Sequence, residues 1–269
     1  MLLELSKRII VAFIGIPCLL VIFYLGGPYL FGFLALFCLM GALEYKLMMQ
    51  DTNLEVKWVD VAYAPFIFYL ITAPSFLQMN EGLRYIITGI YSVIWFGGKV
   101  NWFDFDLDYS GMGATIIGLL YTAVLPGLIY RLSVVYQQSH IIVLLLVMIW
   151  LTDSAAYFCG IWFGKHRGVF PVSPNKSLEG FIAGLLMPFV CIAAIYSVSD
   201  AWSLRQLLLV AVSAGILGQA GDLLESKLKR YAGVKDSSDF IPGHGGVLDR
   251  FDSLLIAAPG LLFLLRIFP

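Results

Sequence analysis

The sequence predicts an all-α fold, a polytopic integral membrane bundle of about nine transmembrane helices. Three observations carry that expectation. Of 269 residues, 60% are hydrophobic and only 13% are charged, with a mean hydropathy of +0.87, whereas soluble domains run at roughly 45–50% apolar. The apolar stretches continue for about 20 residues, the length that crosses a bilayer core as a helix, and they do not alternate as barrel strands would. The basic residues are partitioned: with the N-terminus in the cytoplasm, 13 of the 17 Lys and Arg fall on the cytoplasmic side, the asymmetry that orients membrane helices.

The windows lie near 8–25, 29–48, 59–79, 83–98, 111–130, 141–163, 178–199, 204–224 and 250–267. Lys7 and Arg8 open the first, and no small-x-small cleavage site follows, so a retained helix is expected. The second ends with Glu44 beside Lys46, which reads as a helix-end ion pair. The fourth is the least apolar. Between it and the fifth, NWFDFDLDYS at 101–110 alternates Asp with aromatic residues; a short interfacial loop is the expectation, a metal-holding DxD the alternative. An odd count places the C-terminus outside. Residues 1–130 form generic membrane helices with possible oligomer contacts, and residues 131–269 form the region where polar groups enter the membrane. Cys18, Cys38, Cys159 and Cys191 lie inside spans without CxxC spacing and read as small buried hydrophobes. Three scattered histidines argue against a histidine zinc site.

Three constellations fall in that second region. Asp153 sits halfway along an apolar window, where a carboxylate costs about 2.5–3.5 kcal/mol on insertion scales. Ser154, Ala155, Ala156 and Gly160 make the same helix slender enough for close approach. The following GIWFGKH lacks the spacing of a P-loop and the Ser or Thr after its Lys. In KHRGVFPVSPNKSLEG, Ser177 is expected to cap a helix with Gly180 in its first turn, and Glu179 suits the positive helix end. Lys176 and Ser177 there make a phosphate cradle; Lys165, His166 and Arg167 read as membrane-surface anchors.

The third constellation is the densest in charge. Asp222, Glu225, Ser226 and Lys229 recur at helical spacing and share one face. SKLKRYAGVKDSSDFIPGHGGVLDRFD at 226–252 then interleaves basic residues with aspartates around Pro242, Gly243, His244, Gly245 and Gly246. A re-entrant or surface loop between Asp222 and Asp249 would bring these two carboxylates together, and hard oxygen ligands suit Mg²⁺. The glycines allow tight turns that present N–H groups to an anion. Lys227, Arg230, Lys235 and Arg250 would neutralise phosphate charge, with Asp236 among them.

At these residues the chain resembles the phosphatidate cytidylyltransferases (CDP-diacylglycerol synthases). Their signature, S-x-aliphatic-K-R-x4-K-D followed by P-x-H-G-G-apolar-x-D-R-apolar-D, matches 226–252 at every specified position. Their upstream pattern is similar to Asp153–Lys165 and Ser173–Gly180. The resemblance implies transfer of CMP from CTP to phosphatidate, with Mg²⁺, at the cytoplasmic face. It implies Asp222 and Asp249 as metal ligands, with Asp153 or Asp252 orienting ligands or supporting a second cation. Lys176, Lys227, Arg230, Lys235 and Arg250 would grip phosphates, and His244 with Gly245 and Gly246 would close over them. Asp222, Asp249, Lys227, Arg230, His244 and Lys176 are the catalytic candidates; Asp153, Ser177, Glu179, Ser226, Lys235, Asp236, Gly245, Gly246 and Arg250 are the substrate-binding ones. The expected partners are CTP, phosphatidate, membrane lipids and a second copy in a homodimer, with no nucleic acid. Two other readings stay open: a CTP-dependent lipid or polyprenol kinase, and a secondary transporter, for which an intramembrane Asp also fits but paired repeats are not detected.

Overall fold

The computed structural model describes residues 2–54, 56–73, 81–101, 106–107, 109–137, 140–241 and 245–269. A helix lies in every predicted window: α1 (Leu2–Leu25), α2 (Gly27–Met49), α3 (Trp58–Thr72), α4 (Glu81–Lys99), α5 (Tyr109–Leu119), α6 (Leu125–Val135), α7 (Ile141–Phe163), α8 (Leu178–Val198), α9 (Leu204–Val212), α10 (Gln219–Tyr231) and α11 (Leu248–Ile267). Two π-helical segments, Leu120–Val124 and Ser213–Gly218, join α5 to α6 and α9 to α10 into continuous rods. A two-residue antiparallel pairing, Val100–Asn101 with Asp106–Leu107, is the one ladder among the described residues.

Five helical rods are long and apolar enough to cross a membrane: Gly27–Met49, Gly111–Val135, Ile141–Phe163, Leu178–Val198 and Leu204–Tyr231. The apolar helices Phe13–Leu25 and Trp58–Thr72 are shorter. α11 has the length, but Asp249, Arg250 and Asp252 crowd its first turns.

The core is formed by α2, α6, α7 and α11, with Leu30, Leu34, Leu132, Leu145, Leu255 and Leu261 fully or almost fully buried. Phe251 fixes α11 on α2 by edge and tilted contacts with Phe37 and Phe33 at 5.2 and 5.7 Å. Large apolar side chains stand exposed on the outer faces of the helices, as Phe13, Val190 and Trp162 illustrate. α8 packs along α7 through the predicted small residues: Gly180 and Gly184 lie against Gly160 and Ala156. α10 meets α11 just as closely. A Cβ on Gly221 would press on the Asp252 carbonyl and the Ile256 side chain, so glycine there brings the acidic face of α10 against the start of α11.

The rod Leu204–Tyr231 differs from its window. The apolar run ends near 224, yet the helix continues to Tyr231, because the charged residues beyond it pair along or between helices. The loop between Asp222 and Asp249 is therefore only the segment after Tyr231.

Candidate active site

Three structures converge at one end of the bundle: the 164–177 loop, the last turns of α10, and the loop leading into α11. The first is anchored on both helices that it joins. Leu178 N donates to the His166 carbonyl at 2.9 Å, Gly168 N to that of Pro174 at 3.1 Å, and Arg167 Nη2 to that of Gly160 at 3.2 Å. Ser177 caps α8 as expected, its Oγ accepting from Gly180 N at 3.2 Å. Glu179 turns back onto the loop and accepts from His166 N at 3.2 Å, with His166 Nδ1 at 2.6 Å. This folded loop aims Lys176 at α10, where its Nζ pairs with Asp222 Oδ2.

On α10 the predicted shared face is present. Ser226 Oγ donates to Asp222 Oδ1 at 3.4 Å, and Lys229 Nζ stands 3.6 Å from Glu225 Oε1. Lys229 also reaches Asp249 Oδ1 at 2.5 Å. Asp249 Oδ2 accepts from Ser237 N, Ser237 Oγ and Gly246 N at 2.9, 3.1 and 2.9 Å. The structure thus brings Lys176 to Asp222 and Lys229 to Asp249: each aspartate carries a lysine cation.

Lys227, Lys235, Asp236 and Arg250 are exposed. So is Arg230, which donates to the carbonyls of Val172 and Val234 at 3.3 and 3.2 Å. Gly245 adopts φ +80, and its carbonyl accepts from Ile241 N at 2.9 Å. Pro242, Gly243 and His244 lie outside the described residues. The 101–110 acidic segment lies largely outside them as well.

Glu44 is the site residue that sequence reasoning missed. It does not pair with Lys46, whose Nζ donates to the Val56 carbonyl at 2.6 Å and stands 4.9 Å from the centre of the Trp58 ring. Glu44 is 0% exposed and faces the loop before α11. It accepts from Ser238 Oγ and Val247 N, both at 2.6 Å, from Leu248 N at 2.9 Å and from Ser237 Oγ at 3.1 Å. Proximity in sequence suggested Lys46; a buried carboxylate instead takes the donors that burial requires.

Two cavities open beside these residues. One, of about 430 Å³, brings the charged side chains of Arg167, Lys176, Asp222 and Asp153 together with Tyr157, Ile161 and Phe181. The other, of about 640 Å³, is largely apolar and runs between α1, α2, α7 and α11 past Leu19, Phe33, Phe37, Met40 and Trp150. Its polar end carries Asp153, Arg250 and Asp252. Asp153 borders both cavities.

For a cation the donor set is suitable. Both Glu225 oxygens are buried without a hydrogen-bond donor, although Lys229 is nearby. Among the described residues no three acidic or Cys/His side chains form a ready-made metal cluster. Mg²⁺ commonly uses one or two carboxylates and completes its shell with substrate phosphates and water, and Asp222 is accessible for that role at 26% side-chain exposure.

Fold and site together define a membrane protein that gathers lysines, arginines and carboxylates at one end of a helical bundle. The match to known families is specific: residues 6–268 fit the model of the cytidylyltransferase family, and the chain belongs to that family. It is 33% identical to the phosphatidate cytidylyltransferase of Staphylococcus haemolyticus over 261 residues, covering 96% of this chain and 98% of the relative. It is 47% identical to that of Bacillus subtilis over 124 residues, covering 45% and 46%. With that of Staphylococcus aureus strain COL, 38% identity extends over 61% of this chain and 62% of the relative.

Proposed function

We propose that this chain is a CTP:phosphatidate cytidylyltransferase, making CDP-diacylglycerol and pyrophosphate for phospholipid synthesis. The observation that carries the reading is the meeting, at Asp153, of a cavity bearing Lys176, Arg167 and Asp222 with a larger and more apolar one. A reaction joining a nucleotide to a lipid phosphate needs a charged chamber and an apolar one that share a wall. The cavity at Lys176 and Arg167 suits the CTP phosphates, and the apolar cavity suits the acyl chains of phosphatidate, with Arg250 in its lining for the headgroup.

In the reaction a phosphate oxygen of the lipid attacks the α-phosphorus of CTP, and the bond from that phosphorus to the β-bridging oxygen breaks. Pyrophosphate departs with that electron pair. Neither partner needs a strong base. Both are anions, so the protein's contribution is to neutralise and align them. Lys176, Arg167 and the N-terminal end of α8 supply positive potential along one wall. Asp222 and Asp249 would hold Mg²⁺, with Asp153 or Asp252 orienting ligands or supporting a second cation. Bound there, Mg²⁺ would supply charge neutralisation for the triphosphate. Lys176 and Lys229, which pair with these two aspartates, would contribute further positive charge to the same site.

The same reading extends to topology: nine spans, the N-terminus and site at the cytoplasmic face, the C-terminus outside, and self-association through the N-terminal helices. Cysteine accessibility in sealed vesicles measures the first; cross-linking in membranes measures the second.

Purified protein in detergent, given CTP, phosphatidate and Mg²⁺, should form cytidyl-lipid and pyrophosphate in equal amounts and stop with EDTA. CDP production from a lipid alcohol would move the reading to a kinase. Substrate-driven ion flux in liposomes without any chemistry would move it to a transporter.

A further inference from the structure

α11 carries Asp249, Arg250 and Asp252 in its first turns, yet it begins without a cap of its own. Val247, the residue before it, has no side-chain acceptor and sits in helical geometry. The first N–H groups of a helix lack intrahelical partners and need acceptors, and their positive end attracts a carboxylate. Here the acceptor comes from α2, some 200 residues upstream. Glu44 takes Val247 N on one oxygen and Leu248 N on the other, at 2.6 and 2.9 Å. The same two oxygens hold Ser238 Oγ at 2.6 Å and Ser237 Oγ at 3.1 Å.

Each carboxylate oxygen of Glu44 thus serves one helix-start amide and one loop hydroxyl. Ser237 links this clamp to the site, since its Oγ and N both lie within 3.1 Å of Asp249 Oδ2. Gly246 leaves the room: a Cβ there would run into Ser237 Oγ and both Glu44 oxygens.

We infer that Glu44 is a positioning residue for the cytidylyl transfer proposed above: it caps α11 in trans and fixes Ser237, Ser238, Val247 and Leu248, so that Asp249 is held against Lys229 at the start of α11. Glu44 lines neither of the two cavities. Its effect runs through Ser237 and the α11 terminus, so its loss acts on turnover more than on substrate affinity.

The test uses full-length protein in detergent micelles. Glu44→Gln keeps the size but replaces one acceptor oxygen with an amide that faces donors. Amide exchange across 237–248 should accelerate at least tenfold in this variant, with exchange in α7 and α8 unchanged. In the transfer assay kcat should fall at least tenfold, with KM for CTP and for phosphatidate each within threefold of wild type. Ser238→Ala, which removes one donor and leaves the fold's charges intact, should show the same pattern in weaker form. It should add little to Glu44→Gln in the double variant. Unchanged exchange in 237–248 overturns the inference whatever the activity. So does accelerated exchange with kcat within twofold of an active wild type, or an equal loss of protection throughout the protein. A wild type that makes no cytidyl-lipid defeats the proposed reaction instead, while the exchange result still decides whether Glu44 holds the loop.

Discussion

Lys229 Nζ lies 2.5 Å from Asp249 Oδ1, the two side chains 11% and 4% exposed, so a nearly buried ion pair joins α10 to α11. Glu225 at 3.6 Å and Ser237 extend it in opposite directions. Removing one member of such a pair strands a charge and costs about 3–5 kcal/mol. Lys229→Met is therefore expected to lower the melting temperature clearly. Lys229→Met with Asp249→Asn should recover most of that stability while remaining inactive. Thermal unfolding and lipid-product formation, measured on both variants, separate the two roles.

Lys176 and Asp222 form a more accessible pair, with side chains 28% and 26% exposed, so its weight in stability is small. Its weight in the reaction should be large, because removing one preorganised charge partner of a transition state costs about 10²–10³ in rate. Lys176→Ala should reduce kcat/KM for CTP by that order, with the melting temperature little changed.

If Asp222 holds the metal, Asp222→Asn should raise the Mg²⁺ concentration needed for half-maximal activity. A Mg²⁺ titration at saturating CTP and phosphatidate reads this directly. An unchanged titration curve with normal turnover would remove Asp222 from the ligand set.

The apolar cavity gives a prediction of opposite selectivity. Leu36 lines it from α2 while remaining exposed at 56%, so a larger ring there narrows the groove without disturbing the core. Leu36→Trp should raise KM for long-chain phosphatidate several-fold and leave KM for CTP unchanged. Kinetics with long- and short-chain lipid at fixed CTP provide the comparison.

Among the described glycines Gly246 has the least room for a Cβ, which would meet Ser237 Oγ and both Glu44 oxygens. Gly246→Ala should destabilise by about 1–3 kcal/mol through overpacking and reduce turnover. Gly113→Ala, in open space, should do neither. Melting temperatures of the two variants in one detergent test this.

Much of this arrangement was visible in the sequence where the determinants are local. Unbroken apolar runs marked windows that each hold a helix, small residues at Ala156 and Gly160 marked a place of close approach where α8 packs, and Ser177 announced the start of α8. Helical spacing grouped Asp222, Glu225, Ser226 and Lys229 on one face. What stayed hidden depends on residues distant in sequence. Glu44 takes its donors from Ser237, Ser238, Val247 and Leu248, and no local pattern links α2 to them. The continuation of α10 to Tyr231 was obscured because hydropathy falls where the helix leaves the apolar layer, while its cross-helix partners keep it wound. The sharing of Asp153 between two cavities depends on how α7, α8, α10 and α11 pack, which spacing along α7 does not encode.

The central claim, CMP transfer to a lipid phosphate, is tested most directly by supplying CTP labelled at either the α- or the γ-phosphorus together with phosphatidate. The account predicts α-label in the lipid fraction and γ-label in pyrophosphate, in equal amounts. γ-Label in the lipid, with α-label left in soluble CDP, would contradict it.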